Sequence, residues 1–354
     1  MSPLLLHEIH REAGASFCEL NGQEAVAHYG DWLAEYQALR AAAAVFDLSF
    51  RGRLCVVGAD AQKFLNGQVT NNVKDLKVGA GCYSALVSAK GKMESDLNIY
   101  RLENETLLDL EPGFSARVTQ RLEKFIIAED AQVVDVAADY GLLSVQGPNA
   151  AAVLAASLPG LALPQEAMAV SKLAGADSSE IYVTHMERAR EAGFDLFVPA
   201  AALPQTAARL LEHGGRWCGW QALETTRVEA GIPRFGADMD ENNLAPEALG
   251  SRAISYSKGC YIGQEVIARV RTYGQVAKAL RGLRFGGPAR ELPLKGAKMF
   301  SGEKEVGFIT SASYSPRMGC VMALGYVRRE ANEAGRALRV ETPNGKVPAE
   351  IVEL

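Results

Sequence analysis

The chain is 354 residues long, with 48% hydrophobic and 22% charged residues and a formal net charge of −5. That length exceeds one compact core and suits two or three domains, and the ordinary composition argues against wholesale disorder. The acidic balance argues against broad nucleic-acid coating, which needs a dominant positive field. Six cysteines (Cys18, Cys55, Cys82, Cys218, Cys260, Cys320) lie far apart with no CxxC pair, so the usual zinc and cluster spacings are missing and no metal site is expected. A disulfide framework is not expected in a chain with a sizeable core. The opening MSPLLLHEIHREAG has one apolar run, Leu4–Leu6, before charges arrive. It reads as neither signal peptide nor membrane span, which predicts a soluble, cytoplasmic protein.

In chain order, a helical pattern covers Ala25 to Ala43, with Trp32, Tyr36 and Leu39 spaced for one face. Leu54–Gly58 reads as a buried strand, followed by a helix holding Phe64 and Leu65 with Asp60 as its N-cap. Thr106–Glu111 and Val133–Val136 read as strands around a helix at Phe114–Ile127. The strand–turn–helix grammar of Val56–Leu65 then returns in Val145–Leu154, where Val, Gly, an Asp/Asn cap, Ala and Leu coincide. Strand–turn–helix units often look alike, but the match suggests two α+β units before residue 250. Glu180–Thr184 and Phe194–Val198 read as strands, and Ala200–His213 as a helix stopped by Gly214-Gly215. From Leu280 short apolar runs are parted by Gly286-Gly287-Pro288, Pro293, Gly302, Gly319, Gly335 and Pro343-Asn344-Gly345. That texture predicts a small all-β barrel as a further domain.

The densest signal is Lys258-Gly259-Cys260-Tyr261-Ile262-Gly263-Gln264-Glu265. Two glycines bracket a thiol, and the helix-forming Ile262–Ala268 follows, so Cys260 is expected at or just before a helix N-terminus. With Lys258 nearby, that placement favours a thiolate. A lone cysteine is more often inert packing; the bracketing residues tip the reading toward function. The cations Lys258, Arg269, Arg271, Lys278, Arg281 and Arg284 face the single acid Glu265, a local excess that suits an anionic tail or a merely solvated surface.

The octet resembles the KGCYxGQE signature of the YgfZ family, folate-binding proteins related to factors that mature iron–sulfur enzymes. The wider chain is similar to the glycine-cleavage T-protein, or aminomethyltransferase, through Val45–Ser49, Gly91–Tyr100, Glu191–Leu196, Arg227–Gly231, Ile309–Pro316 and Val347–Val352. The resemblance implies an α+β, three-domain, T-protein-like arrangement around a central folate cavity. Its first α+β folate-binding domain would be residues 1–50 and 137–275, its second 51–136, and the C-terminal β-barrel 276–354.

It also implies site residues. Asp96 falls where T-proteins keep an aspartate beside the reacting part of the folate, where a carboxylate orients an amine or stabilises positive charge. Read bare, Asp96 opens a strand and is a solvated strand end. Glu191 matches the glutamate that accepts hydrogen bonds from the pterin ring, and Tyr83 an aromatic wall of the cavity. Arg227 matches an arginine near the benzoyl and glutamate portion, where its fork suits a carboxylate. Lys258 and Gln264 complete the cofactor-binding set, with tetrahydrofolate or a one-carbon derivative as ligand and Cys260 and Asp96 as the reactive pair.

Two departures stand out. T-proteins carry an acidic residue where Cys260 stands and an arginine near Gln264, and they have histidine and methionine where this chain has Phe50 and Arg51. The leading expectation is therefore a monomeric folate-binding accessory protein supporting iron–sulfur cluster assembly or repair, and through it tRNA-modifying and other client enzymes. Such a monomer, with one such cysteine, would share any cluster contact with iron–sulfur assembly proteins or clients. The alternatives are a folate-dependent aminomethyl- or methyltransferase, and an interaction module on a folate-binding fold.

Overall fold

The computed structural model describes residues 2–174, 180–274, 276–286 and 291–353; Gly287 and Pro288 of the expected barrel turn lie outside them. Helix α1 (His7–Glu12) precedes a hairpin of β1 (Ser16–Leu20) and β2 (Gln23–His28), then α2 (Trp32–Ala41) and β3 (Ala44–Asp47). Next come β4 (Gly52–Val57), α3 (Ala61–Gln68), β5 (Gly81–Val87), β6 (Met93–Arg101), β7 (Glu105–Leu110), α4 (Ser115–Glu123) and β8 (Gln132–Asp135). They are followed by β9 (Tyr140–Gln146), α5 (Ala150–Ser157), β10 (Val170–Ala174), β11 (Glu180–His185), β12 (Gly193–Pro199), α6 (Leu203–Glu212) and β13 (Arg216–Trp217). Helices α7 (Trp220–Glu229), α8 (Ala245–Ala248) and α9 (Gln264–Tyr273) lead to β14 (Lys278–Phe285), β15 (Lys298–Ser301), β16 (Lys304–Ser315), β17 (Cys320–Arg328), β18 (Ala337–Thr342) and β19 (Gly345–Val352).

Two compact units divide the chain, Met1–Ser84 with Ser95–Leu223, and Ala85–Glu94 with Glu224–Leu354. In the first, a six-stranded sheet runs β10-β11-β12-β9-β3-β13, with the β13–β3 pair parallel. A five-stranded sheet runs β5-β6-β7-β4-β8, the tip of the β5–β6 hairpin grouping with the second unit. Phe46, Tyr100, Leu107, Phe197 and Leu223 share one buried cluster here, while Val145, Leu154, Leu196, Leu203 and Leu210 share another under α5 and α6. In the second unit β14-β17-β16-β15-β18-β19 close a barrel around Leu283, Met299, Ile309, Val327 and Val340. The fold is thus α+β with a C-terminal six-stranded barrel, the barrel being what the texture from Leu280 onward predicts. Among the described residues no helix is long and apolar enough to cross a membrane.

Several local expectations shift. The long helix expected from Ala25 breaks because Asn21 and Gly22, both at positive φ (50° and 83°), form a two-residue hairpin turn and Ala25–Val26 become a buried strand. Helix α2 starts only after Asp31, whose carboxylate accepts the Leu33 and Ala34 N–H groups. Asp60 does precede α3 but makes no side-chain cap; its carboxylate accepts the Asp130 N–H instead. Helix α4 stops at Glu123, leaving Ile127 exposed beyond it. The two similar motifs are built alike: Gly58 (φ 110°) ends β4 ahead of α3, and Gly147 (φ 119°) ends β9 ahead of α5. At both, a Cβ would meet a backbone carbonyl oxygen, Asp130 O at 2.2 Å and Leu39 or Ala42 O at 2.6 Å, so only glycine makes the turn.

Candidate functional site

Asp96 sits within β6, not at a solvated strand end, and is buried there. Tyr83, on the adjacent β5, donates its hydroxyl to Asp96 Oδ2 at 2.9 Å. The other oxygen, Oδ1, is buried with no hydrogen-bond partner among the described residues. Burial, reinforced by the negative charge of Glu111, pushes the Asp96 carboxyl up to about 7, against the pull of the Tyr83 hydroxyl and the Arg51 guanidinium. A carboxyl that exchanges its proton near neutrality suits acid–base work, and a bare buried oxygen needs an incoming donor.

Beside it lies a buried charge network that motif reading does not single out. Arg51 donates to both oxygens of Asp109, at 2.6 and 3.1 Å, and its remaining arm to Glu111. Arg188 donates to Asp195 (2.5–3.1 Å) and to Asp109 Oδ2 (3.0 Å). Burial alone would raise Asp109, but the two guanidiniums hold it at about 2. Phe50, the other departure from the T-protein pattern, packs edge-on against Trp220 at 5.7 Å. Arg51 is therefore part of the framework around Asp96.

Glu191 lies in the loop between β11 and β12 and receives an N–H from Arg40 of α2 at 2.5 Å, with both side chains partly exposed. Tyr83, Asp96 and Glu191 all belong to the first unit. The remaining predicted residues belong to the second. Arg227 is no free fork. Its Nε and Nη2 go to Glu224, Nη1 to Asp238 and the Ile232 carbonyl, and Nη2 also to Ser311 Oγ. All five guanidinium N–H groups are spent, which leaves none for a ligand carboxylate.

Cys260 is exposed, as expected, but not at the helix end. Helix α9 begins at Gln264 after Gly263, whose left-handed φ of 83° turns the chain and separates the cysteine from the helix. A Cβ on Gly263 would lie 2.5 Å from the Ser88 carbonyl oxygen, so the turn admits only glycine. Lys258 is buried, its ammonium 4.9 Å from the Tyr261 ring centroid. Gln264 is half-buried at the first turn of α9.

Residues 6–258 match the model of the GCVT N-terminal domain, and residues 278–354 that of the glycine cleavage T-protein C-terminal barrel domain. The chain belongs to the glycine-cleavage T-protein family. It is similar to the aminomethyltransferase of Saccharopolyspora erythraea, 32% identical over 99% of this chain and 96% of that one. An aminomethyltransferase of Rubrobacter xylanophilus is 30% identical over 99% of this chain and 92% of its own. In structure the chain is similar to the glycine cleavage system aminomethyltransferase T of Bartonella henselae, with a TM-score of 0.91, 27% identity, and coverage of 100% of this chain and 97% of that one. The T-protein likeness thus extends through both units.

Proposed function

We propose that this T-protein-family chain is a folate-dependent, aminomethyltransferase-like transferase, with Asp96 as its reactive carboxyl. One observation carries the reading: Asp96 is buried, held by Tyr83 through one oxygen, bare at the other, and poised to exchange a proton near pH 7. A structural carboxylate would have both oxygens satisfied, as Asp109 does. Tetrahydrofolate or a one-carbon derivative fits this donor-hungry oxygen and would supply the amine nitrogen that carries the transferred carbon. Asp96 would orient that nitrogen or exchange its proton, Tyr83 would hold the carboxyl in place, and Glu191 would accept the N–H groups of the pterin ring. The names and extents of the aminomethyltransferase relatives support the same reading.

Isothermal titration with tetrahydrofolate and 5-formyltetrahydrofolate, followed by an aminomethyl-transfer assay with a lipoylated carrier, tests it. Glu191→Ala weakens binding by about 1.5–3 kcal/mol in this reading, the range for hydrogen bonds to charged groups. Wild-type affinity in that variant removes Glu191 from the site.

A second reading, the YgfZ-type accessory role in iron–sulfur assembly, is favoured by the octet Lys258–Glu265 and by the exposure of Cys260. One exposed thiol offers a single ligand, so cluster contact there would be shared with a partner. Folate binding without transfer activity favours this second role.

A further inference from the structure

We propose that Arg188 is a positioning residue that fixes the loop bearing Glu191 relative to the strand bearing Asp96. The proposal rests on the folate reading of those two carboxylates and deepens it.

The loop joins β11 to β12, and its ends are pinned by backbone bonds. Met186 N–H donates to the Gly193 carbonyl at 2.9 Å, and Gly147 N–H to the Ala192 carbonyl at 2.8 Å. Gln146 grips it from β9: its Oε1 accepts the Arg188 N–H at 3.0 Å and its Nε2 donates to the Met186 carbonyl at 2.8 Å. The grip is close enough that a Cβ on Gly193 would lie 2.1 Å from Gln146 Oε1.

The Arg188 side chain then leaves its own sheet. The Nε/Nη2 edge of the guanidinium holds Asp195 on β12, while Nη2 also reaches Asp109 on β7 of the five-stranded sheet, at 3.0 Å. Asp109 stands opposite Asn98 in the β6–β7 register, and Asn98 Nδ2 donates to it at 2.8 Å. Asn98 is two residues along β6 from Asp96, on the same face of the strand. A continuous set of buried polar contacts thus runs from the Glu191 loop to the Asp96 strand, and Arg40 holds the Glu191 carboxylate from the other side.

Cohesion alone does not call for this arrangement. Buried ion networks seldom outperform well-packed apolar residues in stability, because desolvation offsets the attraction. What a planar fork adds is fixed distance and direction between the groups it joins. A ligand bridging Asp96 and Glu191 needs that separation held before it arrives, since the ordering would otherwise be charged to binding.

A double-mutant cycle tests the clamp. 5-formyltetrahydrofolate is titrated into wild type, Arg188→Lys, Glu191→Ala and the double variant, and hydrogen exchange is followed at the loop amides of each unliganded protein. Arg188→Lys is expected to weaken binding about tenfold in the wild-type background, to have almost no further effect beside Glu191→Ala, and to speed exchange at residues 187–192. Equal losses in both backgrounds, or unchanged affinity and exchange, overturn the proposal. If Glu191→Ala and Asp96→Asn both bind like wild type, the folate reading itself has failed; exchange at the loop then decides the clamp separately. Should Arg188→Lys not fold, the isosteric Asp195→Asn weakens the hold of the Arg188 guanidinium on β12 and carries the same cycle, with an expected loss of about fivefold.

Discussion

Tyr83 donates its hydroxyl to Oδ2 of Asp96 at 2.9 Å, while Oδ1 of the same carboxyl lies buried without a partner among the described residues. This asymmetry sets a pH dependence with a definite sign. The folded-state carboxyl is raised to about 7, whereas an unfolded aspartate titrates at about 3.9. Between those values the folded protein keeps a proton that the unfolded chain has lost, so this group makes stability fall as pH rises. Asp96→Asn removes the titration. The unfolding free energy of the variant, read from urea unfolding, should therefore gain on wild type from pH 4 to 7 and hold its lead above 7, by of the order of 2–4 kcal/mol. A difference independent of pH would show that Asp96 ionises normally.

Asp109 should slope the other way. Held at about 2 by Arg51 and Arg188, it contributes stability that is present above about pH 4 and lost as pH falls through 2. Acid unfolding of Asp109→Asn, followed by circular dichroism, should lack this component. The variant starts less stable at pH 7 and shows a shallower decline below 4.

Tyr83→Phe separates the hydrogen bond from the ring. Losing the donor removes an influence that lowers Asp96, so the midpoint of any pH-dependent folate binding should move to higher pH. The phenyl ring keeps the packing, so the melting temperature near pH 5, where Asp96 is protonated, should change little. A midpoint that stays put or moves down would detach Tyr83 from the titrating group.

How far the sequence could be read depended on which physical signal each residue gave. The barrel is legible because its apolar runs are parted by turns that carry glycine at positive φ, as at Gly302 and Gly319. Tyr83 and Asp96, named through resemblance, prove to touch. Around Ala25 the pattern suits helix and strand alike, and the Asn21-Gly22 hairpin turn decides for the strand. The charge network went unread although it left a trace: Asp109 in Leu107-Leu-Asp-Leu110 and Asp195 in Phe194-Asp-Leu-Phe197 are single carboxylates inside apolar strands. Such residues are buried and require partners. Arg188 lies only 7 residues from Asp195, but nothing local reveals that Arg51 and Arg188 both converge on Asp109, because those pairings span 58 and 79 residues.

Arg227 separates a framework role from a ligand role. With Asp238 fully buried and Glu224 and Ser311 on the same guanidinium, removing the cation leaves an uncompensated buried carboxylate. Arg227→Met should cost about 3–5 kcal/mol in urea unfolding. Folate affinity of the folded variant should match wild type, because the guanidinium has no N–H to offer a ligand. A selective loss of affinity with normal stability would return Arg227 to the binding site.

Cys260 is the position at which the two functional readings part, and its accessibility can be ranked against five internal controls. It is exposed, whereas Cys55, Cys218 and Cys320 are buried and Cys18 and Cys82 only partly accessible. Burial also pushes the thiols of Cys18, Cys55, Cys218 and Cys320 upward, which suppresses their thiolates. Iodoacetamide at neutral pH should therefore label Cys260 first in the native protein, with the buried three reacting only after unfolding. Mass mapping of a time course reads this directly, and another cysteine labelled ahead of it would refute the ranking. The functional consequence follows from the proposed assignment of the folate contacts to Tyr83, Asp96 and Glu191, a set that does not include Cys260. Cys260→Ser should leave affinity for 5-formyltetrahydrofolate unchanged. If aminomethyl transfer also survives while iron–sulfur-dependent activities fall in cells, the exposed thiol serves the accessory role. If neither changes, Cys260 carries no function and the transferase reading stands on Asp96 alone.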